Sequence, residues 1–307
     1  MPALFHRATS GLSTIPPPAA LAGAGASAES GIPTFRGAGG LWRSFPPEAL
    51  ATPQAFARRP SLVWEFYSWR REVVAACRPN RAHHALAALE RRLAADGRGA
   101  SFTLITQNVD RLHKAAGSSH IIELHGSIWD VCRAGRGGRK ASRCWEDRTQ
   151  PLCPALAGRG APDGDASPAA DIPLGLLPHD AEGHLLRPGV VWFNEQLDPS
   201  VLAAAEEATA SCDLFITAGT SAVVYPAAGF AQSAAANGAT VAEFNLEATP
   251  HASFCKFAFQ GRAGDLLPAA FGVEAEVEAA MRAQQAAYQQ GAVGKGSSAL
   301  AGSDSQL

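Results

Sequence analysis

Gly23-Ala24-Gly25-Ala26-Ser27-Ala28-Glu29-Ser30-Gly31-Ile32-Pro33-Thr34-Phe35-Arg36-Gly37 joins a glycine turn, a run of small residues and an arginine in one stretch of chain. Glycines at 23 and 25 let the backbone turn sharply and approach a ligand with no Cβ in the way. The small residues after them suit the opening of a helix whose free N–H groups face a pyrophosphate. The spacing is G-x-G-x5-G and not the dehydrogenase G-x-G-x-x-G. A small-residue, Ala/Gly-rich turn accounts for it as well, so the fold has to be read from the company this stretch keeps.

Short apolar stretches recur at 102–106, 121–124, 214–217 and 240–244, each followed by polar or glycine residues, the pattern of buried parallel strands. Helical patterns lie at 60–77, 81–95, 199–210 and 226–237. Strands alternating with helices imply an α/β fold with a doubly wound, Rossmann-like parallel sheet. Ligands of such sheets bind beyond the carboxyl ends of the strands. Residues 128–187 differ: Arg, Gly, Pro and Asp dominate around Cys132, Cys144 and Cys153, which reads as a small, loop-rich insertion module. A helical segment is expected from Glu274 to about Gln290, and the Gly/Ser-rich 291–307 reads as a disordered tail. One stretch conflicts with this pattern. Residues 13–22, where a first strand belongs, contain Pro16, Pro17 and Pro18, which cannot donate ladder hydrogen bonds. Only residues 19–22 are left to pair, so either the strand is truncated or the translated sequence is in error there.

The formal charge of −2 on 307 residues gives no electrostatic case for nucleic acid or an anionic membrane. No apolar run approaches the ~20 residues of a membrane span. Six cysteines scattered through a chain with no secretory signal favour reduced thiols or a metal site over a disulfide framework, and argue against secretion. The first 28 residues hold no acid, but only His6 and Arg7 as basic or near-basic groups, so they meet half the description of a mitochondrial transit peptide.

The blocks Thr106-Gln107-Asn108-Val109-Asp110, Glu123-Leu124-His125-Gly126-Ser127, Gly219-Thr220-Ser221 and Phe244-Asn245 follow the glycine stretch in that order. Together they resemble the sirtuins, the NAD-dependent protein deacylases, over roughly residues 20 to 272. A closer likeness, to the class III sirtuins that prefer acidic acyl groups, rests on Trp64-Glu-Phe-Tyr67-Ser-Trp-Arg70-Arg71-Glu72 and Val190-Val-Trp-Phe193. The resemblance implies a catalytic domain over 19–272 with Rossmann-like parts at about 19–127 and 188–272, after an N-terminal segment 1–18 and before a C-terminal segment 273–307. It also implies a mitochondrial location, with cytoplasm and nucleus left open.

By this resemblance His125 is the catalytic base, a role that suits an imidazole titrating near neutrality. Asn108 and Asp110 would hold the nicotinamide-ribose end of NAD and Gln107 a ribose hydroxyl. Gly219, Thr220 and Ser221 would meet phosphate or ribose oxygens, and Asn245, Leu246 and Glu247 the adenine ribose. Gly23, Ala24, Gly25, Ser27, Ala28 and Glu29 would line the dinucleotide, Thr34, Phe35 and Arg36 would close over it, and Trp42 and Ala263 complete the set. NAD would be consumed: the acyl-lysine carbonyl oxygen attacks the ribose carbon as nicotinamide leaves, and His125 then activates the ribose hydroxyl that attacks the imidate. Products are lysine, nicotinamide and O-acyl-ADP-ribose. Tyr67 and Arg70, at i and i+3 on one helical face, would bind a succinyl, malonyl or glutaryl carboxylate, with Ala51 making room for the acyl chain. The peptide would meet Val191, Trp192, Phe193, Glu195 and Tyr225, the 190–193 segment pairing with it as an added strand. Asn194 stands where the family usually has Gly, and Asn tolerates the positive φ such a position needs.

The resemblance weakens at the metal. Relatives carry two Cys-x-x-Cys pairs in the insertion, a structural zinc signature. Here Cys132 has Gly135 where its partner belongs, Cys144 comes later, and His179-Asp180-Ala-Glu-Gly-His184 replaces the second pair. Either Cys132 and Cys144 hold zinc with Asp180, His179 or His184, or the module is zinc-free. Two other functions stay open on the same residues. One is deacetylation or mono-ADP-ribosyl transfer, the other a catalytically weak NAD or ADP-ribose binding protein.

Overall fold

The computed structural model describes residues 17–34, 42–95, 102–162 and 171–300, with side chains to residue 290. Its strands are β1 (Ala19–Ala22), β2 (Thr103–Thr106), β3 (Ile121–Glu123), β4 (Gly126–Arg133), β5 (Trp145–Glu146), β6 (Leu186–Val190), β7 (Leu214–Ala218), β8 (Thr240–Asn245) and β9 (Phe257–Gln260). Six of them form a wholly parallel sheet in the order β3-β2-β1-β7-β8-β9. The order reverses between β1 and β7, so the crevice at their carboxyl ends is the binding place this topology offers.

Each strand face is covered by helices. Ala20, Ala22, Leu104, Ile216, Ala242 and Phe244 pack against helices Arg81–Ala95 and Ala263–Phe271. Ala19, Leu21, Ile105, Phe215 and Val241 pack against helices Pro199–Ser211 and Ala227–Ala236. The alternation of Ala19/Leu21 with Ala20/Ala22 is the period of two expected of a strand buried on both sides. β1 is therefore a real central strand, four residues long. Pro17 and Pro18 stop just short of it, and the Pro18 carbonyl still serves the ladder by accepting from Thr103 N (3.2 Å).

Three features depart from the sequence reading. The insertion is less loop-like than its composition suggests: β5-β4-β6 form an antiparallel sheet. Edge strand β9 follows the short Pro250–Ser253 helix. The C-terminal helix runs Glu274–Leu300, ten residues beyond the expected end, because no proline breaks it there. The correction applies to 291–300; residues 301–307 lie outside the described residues.

The Pro60–Ala76 helix starts with Pro at its first position, where the missing N–H costs nothing. It packs on the small antiparallel sheet of the module. Trp64 Nε1 donates to the Leu186 carbonyl (2.9 Å), and Arg71 donates to the carbonyls of Ile128 (2.8 Å) and Thr149 (3.1 Å). Arg70 and Arg71 are buried while Glu72 is exposed, so the charged run is not a solvated helix face.

Candidate active site

Strands β1, β2 and β7 deliver their following residues to one place. Gly23 N donates to the Ala218 carbonyl (2.9 Å) and Gln107 N to the Ala22 carbonyl (3.0 Å). A Cβ on Gly23 would lie 2.7 Å from the Gly219 oxygen, and one on Gly219, whose φ is +61, would lie 2.3 Å from Ala26 N. Only glycine lets these two turns cross so closely.

The separate sequence blocks are bonded to one another here. Gln107 Nε2 donates to Thr220 Oγ1 (3.0 Å), and Asn245 Nδ2 to the Thr220 carbonyl (3.0 Å). Asn108 Nδ2 donates to the Gly23 carbonyl (3.0 Å) and to Ser27 Oγ (2.9 Å). Asp110 Oδ1 accepts from Leu112 N (2.8 Å). Burial pushes the Asp110 carboxyl up, opposed by that N–H, the Ser27 hydroxyl and the nearby Arg70 charge.

His125, between β3 and β4, is half-buried, with Nδ1 3.0 Å from the Gln107 carbonyl oxygen. A carbonyl only accepts, so Nδ1 carries the hydrogen and Nε2 keeps a free lone pair. Burial pushes the imidazole below its ordinary range, against the pull of that carbonyl, so it is neutral at neutral pH. A neutral histidine with Nε2 as acceptor is the form a general base requires.

Next to this crevice, Tyr67 and Arg70 are both buried. Tyr67 Oη accepts from Trp192 Nε1 (2.8 Å). Burial raises the phenol to about 12, with Arg70 pulling the other way, so it stays protonated and its O–H remains a donor. Ala51 is buried, and its carbonyl accepts from Phe193 N (3.0 Å), which fixes the end of the 190–193 segment against Ala51. Val191 N donates to the His125 carbonyl (2.8 Å), tying the same segment to His125. Asn194 adopts φ +66, the left-handed conformation its position implied.

Several expected contacts are engaged in other ways. Glu195 is an anchor and not an open contact: its carboxylate takes Arg187 at 2.6 and 2.9 Å and Trp192 N at 3.0 Å. Glu29 accepts from Gly264 N (3.1 Å), next to buried Ala263, and so ties the glycine loop to the Ala263–Phe271 helix. Trp42 packs edge-on against Phe66 and donates its N–H to the Gly160 carbonyl (2.8 Å), so it is a core residue. Ala24, Ala28, Ser221, Leu246, Glu247 and Tyr225 are exposed, and Thr34 is half-buried. Phe35 and Arg36 lie outside the described residues. Sequence reading missed Arg187, whose guanidinium is fully buried 3.5 Å from the centre of the Trp192 ring.

A glycine-crossed switch point with a neutral histidine at its mouth defines an α/β protein that works on a bound dinucleotide. Residues 23–226 match the model of the Sir2 family, and the chain belongs to that family. It is 51% identical over 253 residues to "NAD-dependent protein deacylase sirtuin-5, mitochondrial" of Canis lupus familiaris, covering 81% of this chain and 79% of that one. It is 50% identical over 255 residues to the protein of the same name from Danio rerio, covering 82% and 81%. Among solved structures it is similar to a Sir2 homologue–NAD complex, with 40% identity, a TM-score of 0.68, and 87% and 90% of the two chains covered. The family resemblance read from the sequence is thus correct.

The zinc that this family implies does not fit the small module. Cys132 and Cys144 are joined in a disulfide, so neither is a thiolate ligand. His179 Nδ1 donates to the Leu177 carbonyl (2.7 Å). Ligand atoms of Asp180, Glu182 and His184 lie within 4.8 Å of one another, but the Arg133 guanidinium already occupies them, at 2.6 Å from Asp180 and 2.7 Å from Glu182. The expected Cys132/Cys144 metal pair is corrected to a covalent staple.

Proposed function

We propose that this chain removes acidic acyl groups (succinyl, malonyl or glutaryl) from protein lysines. NAD is consumed, and nicotinamide, free lysine and O-acyl-ADP-ribose are formed. The observation that carries the acyl preference is the buried pairing of Tyr67 with Arg70 on one face of the Pro60–Ala76 helix, beside the segment 190–193. A protonated phenol and a guanidinium give a carboxylate one neutral and one charged donor away from bulk water. An acetyl group has no terminal carboxylate to meet them.

In this reading Gly23, Gly25, Ser27, Gln107, Asn108, Asp110, Gly219, Thr220 and Asn245 hold NAD, and the acyl-lysine peptide lies along Val191–Phe193. His125 Nε2 takes the proton of a ribose hydroxyl, and Nδ1–H remains on the Gln107 carbonyl, which steadies the imidazolium that forms. Burial of the crevice strengthens every fixed dipole around the developing charge. The partners are acylated proteins, and the setting is mitochondrial, as the names of the relatives indicate. No helix among the described residues is long and apolar enough to cross a membrane.

Mass spectrometry of the products from NAD plus succinyl-, malonyl-, glutaryl- and acetyl-lysine peptides tests the reading. Acidic peptides turned over well ahead of acetyl support it. An acetyl preference, or nicotinamide release that ignores the peptide, refutes it.

A further inference from the structure

Between Cys132 and Cys144 the chain reads Arg133-Ala-Gly-Arg136-Gly-Gly-Arg139-Lys140-Ala-Ser-Arg143, five cations with no acid among them. The disulfide closes this stretch into one loop, and the fold seats it firmly. Gly135 N donates to the Arg139 carbonyl (2.7 Å), and Ala141 N to the Arg133 carbonyl (2.9 Å). Gly138, at φ +78, approaches the helix Pro53–Arg58 so closely that a Cβ would lie 2.3 Å from the Pro53 oxygen.

Two of the cations are engaged within the protein. Arg133 holds Asp180 and Glu182, and Lys140 Nζ donates to the Gly189 carbonyl (3.4 Å). Arg136, Arg139 and Arg143 are exposed, and no carboxylate pairs with them among the described residues. Asp130 and Glu146 pair with Arg111 instead, and Asp171 with Arg59. Charge of one sign, held on an ordered loop without internal compensation, is free to act on a partner.

The loop also has a fixed place relative to the crevice. Arg187 Nη1 donates to the Gly138 carbonyl (2.9 Å), and Lys140 reaches Gly189, two residues before Val191. We propose that Arg136, Arg139 and Arg143 form a docking surface for an acidic stretch of the substrate protein, on one flank of the acyl-lysine. The proposal rests on the reading of Val191–Phe193 as the segment that meets the substrate peptide. The substrate's own chemistry agrees with it. An acidic acyl group replaces a lysine cation by a carboxylate, so surfaces that carry such groups are shifted toward negative charge. A nucleic acid is the weaker candidate, because the whole chain has a formal charge of −2 and the loop borders a peptide segment.

The test uses the whole chain and peptide pairs that differ in one flank only, Glu-rich or Ala-rich, bearing whichever acyl group is turned over fastest. Exposed ion pairs are individually weak, but three together should lower the KM of one Glu-rich peptide about three- to tenfold at unchanged kcat. The preference should vanish near about 1 M salt, where the screening length is about 3 Å. Arg136→Ala, Arg139→Ala and Arg143→Ala combined should erase it, with the Ala-rich peptide and nicotinamide inhibition unaffected. Arg139→Glu with Arg143→Glu should turn the preference toward a Lys-rich flank. No flank preference in the wild type, or one that survives the triple Ala variant, overturns the proposal. A single-stranded oligonucleotide that binds the wild type and not the triple variant, while the peptides behave alike, overturns it in favour of nucleic acid. The acyl reading fails separately: an acetyl preference with the flank effect intact refutes that reading alone. An acidic-acyl preference with no flank effect refutes only the docking surface.

Discussion

Trp192 gives its indole N–H to the phenol oxygen of Tyr67 at 2.8 Å, and this bond decides what the phenol can offer a substrate. With one lone pair engaged, the hydroxyl hydrogen is free to donate. Trp192 is held from its other side by Arg187, which lies 3.5 Å from the ring centre and is paired with Glu195 at 2.6 Å. The 190–193 segment and the Pro60–Ala76 helix thus form one unit, with Trp192 as the joint.

Acyl selectivity should reside in Tyr67 and Arg70. Removing one partner of a buried, hydrogen-bonded charge pair costs about 2–5 kcal/mol, so Arg70→Met should raise the KM for succinyl peptide at least tenfold. Turnover of acetyl peptide should fall little, because that substrate has no carboxylate to lose. Trp192→Phe keeps the ring and removes the bond to Tyr67, and should shift the succinyl-to-acetyl ratio in the same direction by less. Equal decline on both peptides would make Arg70 a structural residue.

His125→Ala should abolish deacylation while NAD binding survives, since loss of a general base costs about 10²–10⁴-fold. The pH profile carries a second test. In its proposed role His125 works in its neutral form, and burial lowers its pKa in the ligand-free protein, so the acid limb of kcat/KM should lie below the ordinary histidine range. Activity should stay level as pH falls through neutrality and drop only further into acid. An acid limb at or above 6.5, the unperturbed value, would assign the limb to another group.

The sheet was legible because buried parallel strands read as short apolar runs, and all four expected runs became strands. The crevice was legible because the residues after those strands lie next to one another in the folded chain. What stayed hidden depends on pairing between distant residues. β4 and β6 carry Asp130 and Pro188-Gly189 inside their spans, and no local pattern announces their ladder. The family resemblance implies Glu195 and Trp42 as ligand contacts, and only packing shows that Arg187 and Gly160 engage them.

The small module should be zinc-free and held by the Cys132–Cys144 disulfide. The sequence separation is 12, and a loop of that size constrains the unfolded chain by about 3 kcal/mol. Reduction, or Cys144→Ser, should lower the unfolding midpoint accordingly. Mass spectrometry after alkylation without reductant should leave these two cysteines unlabelled, and elemental analysis should find no stoichiometric zinc. Zinc at one equivalent, lost with either cysteine, would show that the pair ligates after all.

His113 should make this protein sensitive to acid. Its ring is buried against His83, and neither ring nitrogen has a hydrogen-bond partner among the described residues. Burial alone lowers its pKa from 6.5 to about 4. Between those values the unfolded chain binds a proton that the folded one refuses, so stability is whole above 6.5 and drains as pH falls toward 4. From pH 7 to pH 5 this one group removes about 2 kcal/mol. His113→Leu takes the titration away, along with a buried imidazole whose unmet hydrogen bonds themselves cost about 1–3 kcal/mol. Urea unfolding at both pH values should therefore show the variant losing about 2 kcal/mol less than wild type on acidification, with stability at neutral pH equal or higher. Parallel losses in the two proteins would mean that His113 is solvated or paired in solution, and that the acid sensitivity belongs to His83 or His84.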